Sequence, residues 1–326
     1  MSFNLLLSFV HVLLLALPAE RRVVRVSNSG QLSSALEKAL PGDSIVLARG
    51  IYTGHFVVSA AVSGNPQSGI VLQGDRDAVL DGGDINTGYV LHLQASYWTI
   101  RGITIRNGLK GLMADGVLHD VIDSIRVYNI GEEGIHLRAF SSHNIIQRVE
   151  ITQTGLKTPD YGEGIYIGSA KNNWAKYSNG NPDLCDSNKV LNSHIGPSVA
   201  AECIDIKEGT TGGTISGNYF DAAGITGANS ADSWIDVKGN GYLIEHNSGV
   251  NPAGSVLADG YQVHCAYAGW GNNNVFVSND CTVNAAGYGI NVQLKGSNGT
   301  TVGNKVYGNN RVAGAGKGIA NIPLSN

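Results

Sequence analysis

The 326-residue chain carries 22 basic and 26 acidic side chains, for a net charge of −4, and only 15% of its residues are charged. Its 44 glycines and 42% apolar content, spread along the whole length, exclude a disordered polyanion, and the acidic balance argues against a nucleic-acid-binding protein. Any anionic partner has to be met by a local positive patch.

Leu5 to Ala19, LLLSFVHVLLLALPA, is an apolar run that ends in small residues and is shorter than the ~20 residues a membrane span needs. It reads as a signal peptide over residues 1–19, although a basic residue before it is missing; an N-terminal anchor or a buried helix is the other reading. The rest, 20–326, is then a secreted, extracellular single domain, expected to be a monomer and free of membrane once the signal is removed. In an oxidising compartment the four cysteines, Cys185, Cys203, Cys265 and Cys281, are expected to form two disulfides in one of three pairings. No pair has the CxxC spacing of a zinc site.

Next along the chain, SGQLSSALEKALPGD predicts the one clear helix. Leu32, Leu36 and Leu40 fall on one face, Ser29 or Gln31 stands near its start, and Pro41-Gly42 stops it. After it come only short alternating strands punctuated by Gly, Asn and Asp. One helix followed by strands predicts a cap, about 28–42, on an elongated β structure.

Those strands hold a degenerate repeat. EGIHLRA (133–139), EGIYIGS (163–169), ECIDIKE (202–208), SWIDVKG (233–239), DGYQVHC (259–265) and YGINVQL (288–294) superimpose without gaps. A second series starts at Asn144, Asn188, Gly213, Tyr242, Asn274 and Thr301. Phase is held while the intervals vary, which is the signature of a solenoid whose neighbouring turns bury each other. The fold class is therefore all-β, a parallel β-helix; a propeller would need tight hairpins, and a sandwich would not hold one motif in phase over so many rounds. Asn and Gly at strand ends suit corners that need left-handed backbone.

With side chains alternating faces, three outward columns follow. They are Glu133, Glu163, Glu202, Ser233, Asp259; then His136, Tyr166, Asp205, Asp236, Gln262, Asn291; then Arg138, Gly168, Lys207, Lys238, His264, Gln293. Stacked like charges are destabilising unless neutralised. Asp205–Lys207 and Asp236–Lys238 fit a surface ion-pair ladder, but such a ladder leaves Glu133, Glu163 and Glu202 unpaired. A hard divalent cation would neutralise them, and Ca2+ suits a flexible carboxylate site better than Mg2+. The expected metal ligands are Glu202, Glu163, Asp205 and Glu133.

ECIDIK resembles the calcium-and-lysine strand of the alginate lyase and chondroitinase B family of polysaccharide lyases, and residues 23–54 are similar to that family's N-terminal cap and first coil. The resemblance implies a right-handed parallel β-helix, an acidic polysaccharide as partner, Glu202 as a calcium ligand and Lys207 as the base that removes the C5 proton of a uronic acid. Two positions depart from the pattern. Lys238 stands where the family has a catalytic Arg, and Ala200 where it has a second acidic ligand, a role Glu163 on the preceding coil can take. The calcium-and-lysine pectate lyases are a further resemblance.

The chemistry is coherent by itself. Removing a proton alpha to a carboxylate builds negative charge that a bound cation offsets. Lys207, beside a cation and another lysine, is expected to have a lowered pKa and act as base, with Lys238 stabilising the developing charge. Tyr166 and His264 are the candidate acids. Arg138, His136 and Asp236 are assigned to substrate contact, with Trp174 and Trp270, carried on polar insertions, as sugar platforms or as loop cores. Two other classes remain at this stage: a β-helix glycoside hydrolase using Asp205 and Asp236, and a non-catalytic glycan-binding wall protein.

Overall fold

The computed structural model describes residues 22–252 and 256–326. The proposed signal peptide lies outside the described residues. From Val23 to Ser325 the chain winds into three parallel sheets of 12, 9 and 10 strands, with successive turns contributing successive strands. The repeat alignment is the observed register: Ile135, Ile165, Ile204, Ile235, Tyr261 and Ile290 pair in sequence along the nine-stranded sheet. The same column continues upstream through Leu112 and Leu91 to Phe56. All nine side chains are buried, so each turn covers its neighbour's apolar surface. The second series pairs as aligned from Asn144 to Asn274, but its last member begins at Asn304, not Thr301, because Lys305 is the partner of Val275.

The helix, Ser29–Glu37, closes one end of the coil and buries Leu32 and Leu36. Its cap is Asn28: the Asn28 side chain accepts from Gln31 N at 2.9 Å, while Gln31 Oε1 accepts from Ser27 N at 2.8 Å. Leu40 lies beyond the helix end and is 57% exposed, so it does not extend the apolar face.

The corners are left-handed, as Asn and Gly suggested, at Asn107, Asn129, Asn192 and Gly217. Ser124, Arg148 and His246 take the same conformation, at about 1–2 kcal/mol each, because stacked turns above and below dictate the bend. Inside one corner runs a ladder of buried amides. Asn218, Asn247, Asn279 and Asn310 each accept from the backbone N–H or the amide of the preceding turn, and each donates to a carbonyl of that turn.

The expected disulfides are absent. All four cysteines are free and buried. Cys281 donates to Tyr261 Oη and Cys203 to Ile195 O, so these small side chains serve as core packing.

Candidate active site

The nine-stranded sheet presents the three predicted columns side by side. Asp205 pairs in register with Tyr166 and Asp236, which places Lys207 and Lys238 on adjacent rungs about 4.8 Å apart. Loops on both sides raise walls around them. A cleft of about 540 Å³ opens over Glu202, Asp205, Lys207, Asp236, Lys238 and His264. A second cavity, of about 430 Å³, lies further up the same face over Tyr166, His136 and Arg138.

The cleft floor is one continuous ion chain. Lys207 Nζ lies 2.5 Å from Asp205 Oδ2; Lys238 Nζ lies 2.8 Å from both Asp205 Oδ1 and Asp236 Oδ2; His264 Nδ1 meets Asp236 Oδ1 at 2.7 Å. The ion-pair ladder is thus real, but it is almost buried, with Asp205 only 3% exposed. The neighbouring lysine alone does not lower the Lys207 pKa. Burial pulls that pKa down, yet the charges of Asp205 and Glu163 and the hydrogen bond to Asp205 outweigh burial and hold Lys207 above its ordinary 10.5. Lys238 is raised in the same way by Asp205 and Asp236.

Beside the lysines, ligand oxygens of Glu163, Glu202 and Asp205 all lie within 4.8 Å of one another. Burial, followed by the charge of neighbouring acids, pushes Glu163 up and Glu202 to about 8. Glu163 Oε2 is buried and has no hydrogen-bond partner among the described residues. Glu133 stands apart from this group, against expectation. It is ion-paired to Lys110, which also meets Glu132 at 2.8 Å, and His136 Nδ1 lies 3.4 Å away. Although burial raises it, His136 and Lys110 hold the Glu133 carboxyl down near 2. Lys110 occupies the rung before Glu133, so the first glutamate of the column needs no metal.

Tyr166 forms the floor between the two cavities. The Lys207 ammonium sits 4.9 Å from its ring centroid, and the His136 ring packs on its other side at 4.4 Å. Burial and the charge of Asp205 raise the Tyr166 hydroxyl, keeping it protonated. His136 itself is mostly buried, bonded through Nε2 to Gly168 O at 3.0 Å and packed against Tyr166, and it lines the second cavity. His264 is the most open of the predicted catalytic side chains, 34% exposed, and Asp236 outweighs burial to raise its pKa from 6.5.

The tryptophans do not line either cavity. Trp174 is buried, donates to Ser169 O at 2.9 Å and packs edge-on against Tyr267 at 5.3 Å, so it is the core of its loop. Trp270 is half-buried in a turn closed on Tyr267 O. The aromatic the insertion does deliver is Tyr177, stacked 4.0 Å from the Arg138 guanidinium. The sequence reading also missed Lys110, Tyr89 and Asp115. The signal was present, because KGLMAD (110–115) continues the repeat one turn upstream of EGIHLR.

Residues 52–181 match the family model for the right-handed β-helix region. The alginate lyase from Paenibacillus sp. str. FPU-7 shares 39% identity over 93% of this chain and 99% of its own, with a TM-score of 0.86. The chain belongs to the β-helix polysaccharide lyases. At 16% identity and a TM-score of 0.52, the PL6 family alginate lyase AlyGC shares the fold, with 85% of this chain and 41% of that one aligned. So does the A-module of the mannuronan C-5 epimerase AlgE4 from Azotobacter vinelandii, at 15% identity and 0.61 over 92% and 100%. No curated protein matches the sequence. The family's right-handed coil is the one the three sheets form here.

Proposed function

We propose that the chain is a secreted lyase that cleaves a polyuronate, alginate before others, by β-elimination with Lys207 as base. The observation that supports it most is the buried Asp205–Lys207–Lys238–Asp236–His264 chain on the floor of an open cleft, in a member of this family. In the reaction the C5 proton leaves to Lys207 Nζ, a C4–C5 double bond forms, and the C4–O4 bond breaks. Lys238, fixed between two carboxylates, stabilises the charge that develops on the uronate carboxyl. His264, oriented through Nδ1 by Asp236, protonates the departing oxygen, with the Tyr166 hydroxyl as the other donor on the same face.

Lys207 has to lose a proton before it can accept one. Four carboxylates, Glu163, Glu202, Asp205 and Asp236, crowd two ammonium groups, an excess of two negative charges when all are ionised. A divalent cation or two protons can cancel that excess. The donors fit Ca2+: three carboxylates converge, and Glu163 Oε2 is left without a partner. Held by Glu163, Glu202 and Asp205, Ca2+ would supply Lewis acidity and offset the charge that keeps Lys207 protonated. A hydrolase reading through Asp205 and Asp236 cannot draw its acid from Asp236. Burial raises the Asp236 pKa, but Lys238 and His264 override it and hold this carboxyl well below its ordinary value, ionised.

The deciding assay follows the ultraviolet absorbance of unsaturated uronate ends on alginate, pectate and glucuronan, with and without Ca2+. Lys207→Ala is expected to lower kcat by about 10²–10⁴-fold. New reducing ends without absorbance would instead indicate hydrolysis.

A further inference from the structure

Arg138 lies in the same outward column as Lys207, with one rung between them, so the two cations are roughly 10 Å apart along the face. One edge of its guanidinium is fully committed. Nε donates to Asp115 Oδ1 at 2.5 Å, and Nη2 donates to Asp115 Oδ2 at 3.0 Å and Tyr89 Oη at 3.2 Å. Its flat face is covered by Tyr177, 4.0 Å away. The other edge, Nη1, makes no hydrogen bond to the protein among the described residues, and the Arg138 side chain lines the 430 Å³ cavity. Asp115 is itself braced by His92 Nε2 at 2.8 Å.

The intervening rung carries Gly168, where an added Cβ would meet Thr210 Cγ2 at 2.6 Å. No side chain rises from that position, and the half-buried Tyr166 ring lines the cavity beside it. The face therefore reads cation, aromatic floor, cation. A planar donor held rigid on one edge and open on the other is matched to a carboxylate.

Resting on the lyase reading above, we propose that the Arg138 cavity is a second carboxylate subsite, which binds a uronate of the same chain remote from the residue that reacts at Lys207. Arg138 with Asp115 would then select polymers charged on both residues over those in which the remote sugar is neutral.

The test compares wild type, Arg138→Ala, Arg138→Lys and Asp115→Asn on alginate oligomers of increasing length, with melting curves to confirm folding. Isothermal titration of a long oligomer into wild type and into Lys207→Ala with and without Arg138→Ala reads binding separately. The expected result is a KM and Kd higher by about 10- to 100-fold on long oligomers in Arg138→Ala, a smaller effect on the shortest cleavable one, and partial rescue by Arg138→Lys. A wild type that cleaves while Arg138→Ala keeps its KM and Kd at every length sinks the subsite and leaves the lyase intact. A fall in kcat that is equal at all lengths, with KM unchanged, also overturns it. A wild type that neither cleaves nor binds any oligouronate overturns the subsite and the lyase reading together.

Discussion

At the scale of single residues, the cleft is a problem of charge packed out of water. Glu202 is the clearest case, since burial and the charges of Asp205 and Asp236 lift its pKa from 4.5 to about 8. A carboxyl raised in the folded state stabilises the fold while protonated. That contribution is complete below 4.5 and is lost as pH rises through about 8. The ion-free protein is therefore expected to melt at progressively lower temperature as pH climbs through this window, and Glu202→Gln to flatten the slope. Ca2+ at a hundredfold excess over its Kd would restore about 2.7 kcal/mol in the alkaline arm. Melting curves against pH, with Ca2+ or with chelator, check this; no response to Ca2+ at any pH would remove the metal from the proposal.

At the scale of elements, the amide ladder carries a disproportionate share of order. Asn247 accepts from Asn218 N and Nδ2 and donates to Ile215 O and Asn279 Oδ1, all within a buried corner. Asn247→Ala strands several of these groups at about 1–3 kcal/mol each, a loss readable in the urea midpoint. Asp120 extends the related column that contains Asn144 and Asn188. Its Oδ1 accepts from Trp98 N at 2.7 Å, but its buried Oδ2 finds no partner, and burial raises its pKa well above 3.8. An amide there could donate as the other ladder members do. Asp120→Asn is expected to gain about 1 kcal/mol at neutral pH. The gain should shrink as pH falls below 3.8, where the native carboxyl is protonated in both states. Paired melts at acidic and neutral pH read both the gain and its sign.

At the scale of the whole molecule, cohesion comes from turn-on-turn burial rather than cross-links. The aliphatic and aromatic columns run unbroken from Phe56 to Ile290, and the four thiols are buried and unpaired with one another. Melting temperature should therefore be the same with and without reductant, and alkylation of the thiols should require unfolding. A drop in melting temperature on adding reductant would mean that a disulfide forms after all. The solenoid also explains how one face can be long enough for a polymer, because each added turn extends the same groove by one rung.

The sequence by itself determined the coil, the three outward columns and the register of all but the last member of the second series, since a period-two strand repeated in phase admits one stacking. It also identified Glu163, Glu202, Asp205, Lys207, Lys238 and His264 as neighbours, and the structure brings these together. Charge states, loop packing and cysteine pairing were decided only by the tertiary structure. Burial depth and the joint field of four acids set the lysine protonation, Lys110 on an earlier turn removed Glu133 from the carboxylate cluster, and the loop fold turned Trp174 inward while sending Tyr177 to Arg138. Register is a local property that repetition amplifies. Electrostatic environment and loop contacts sum over groups distant in the chain, and no local pattern encodes those distances.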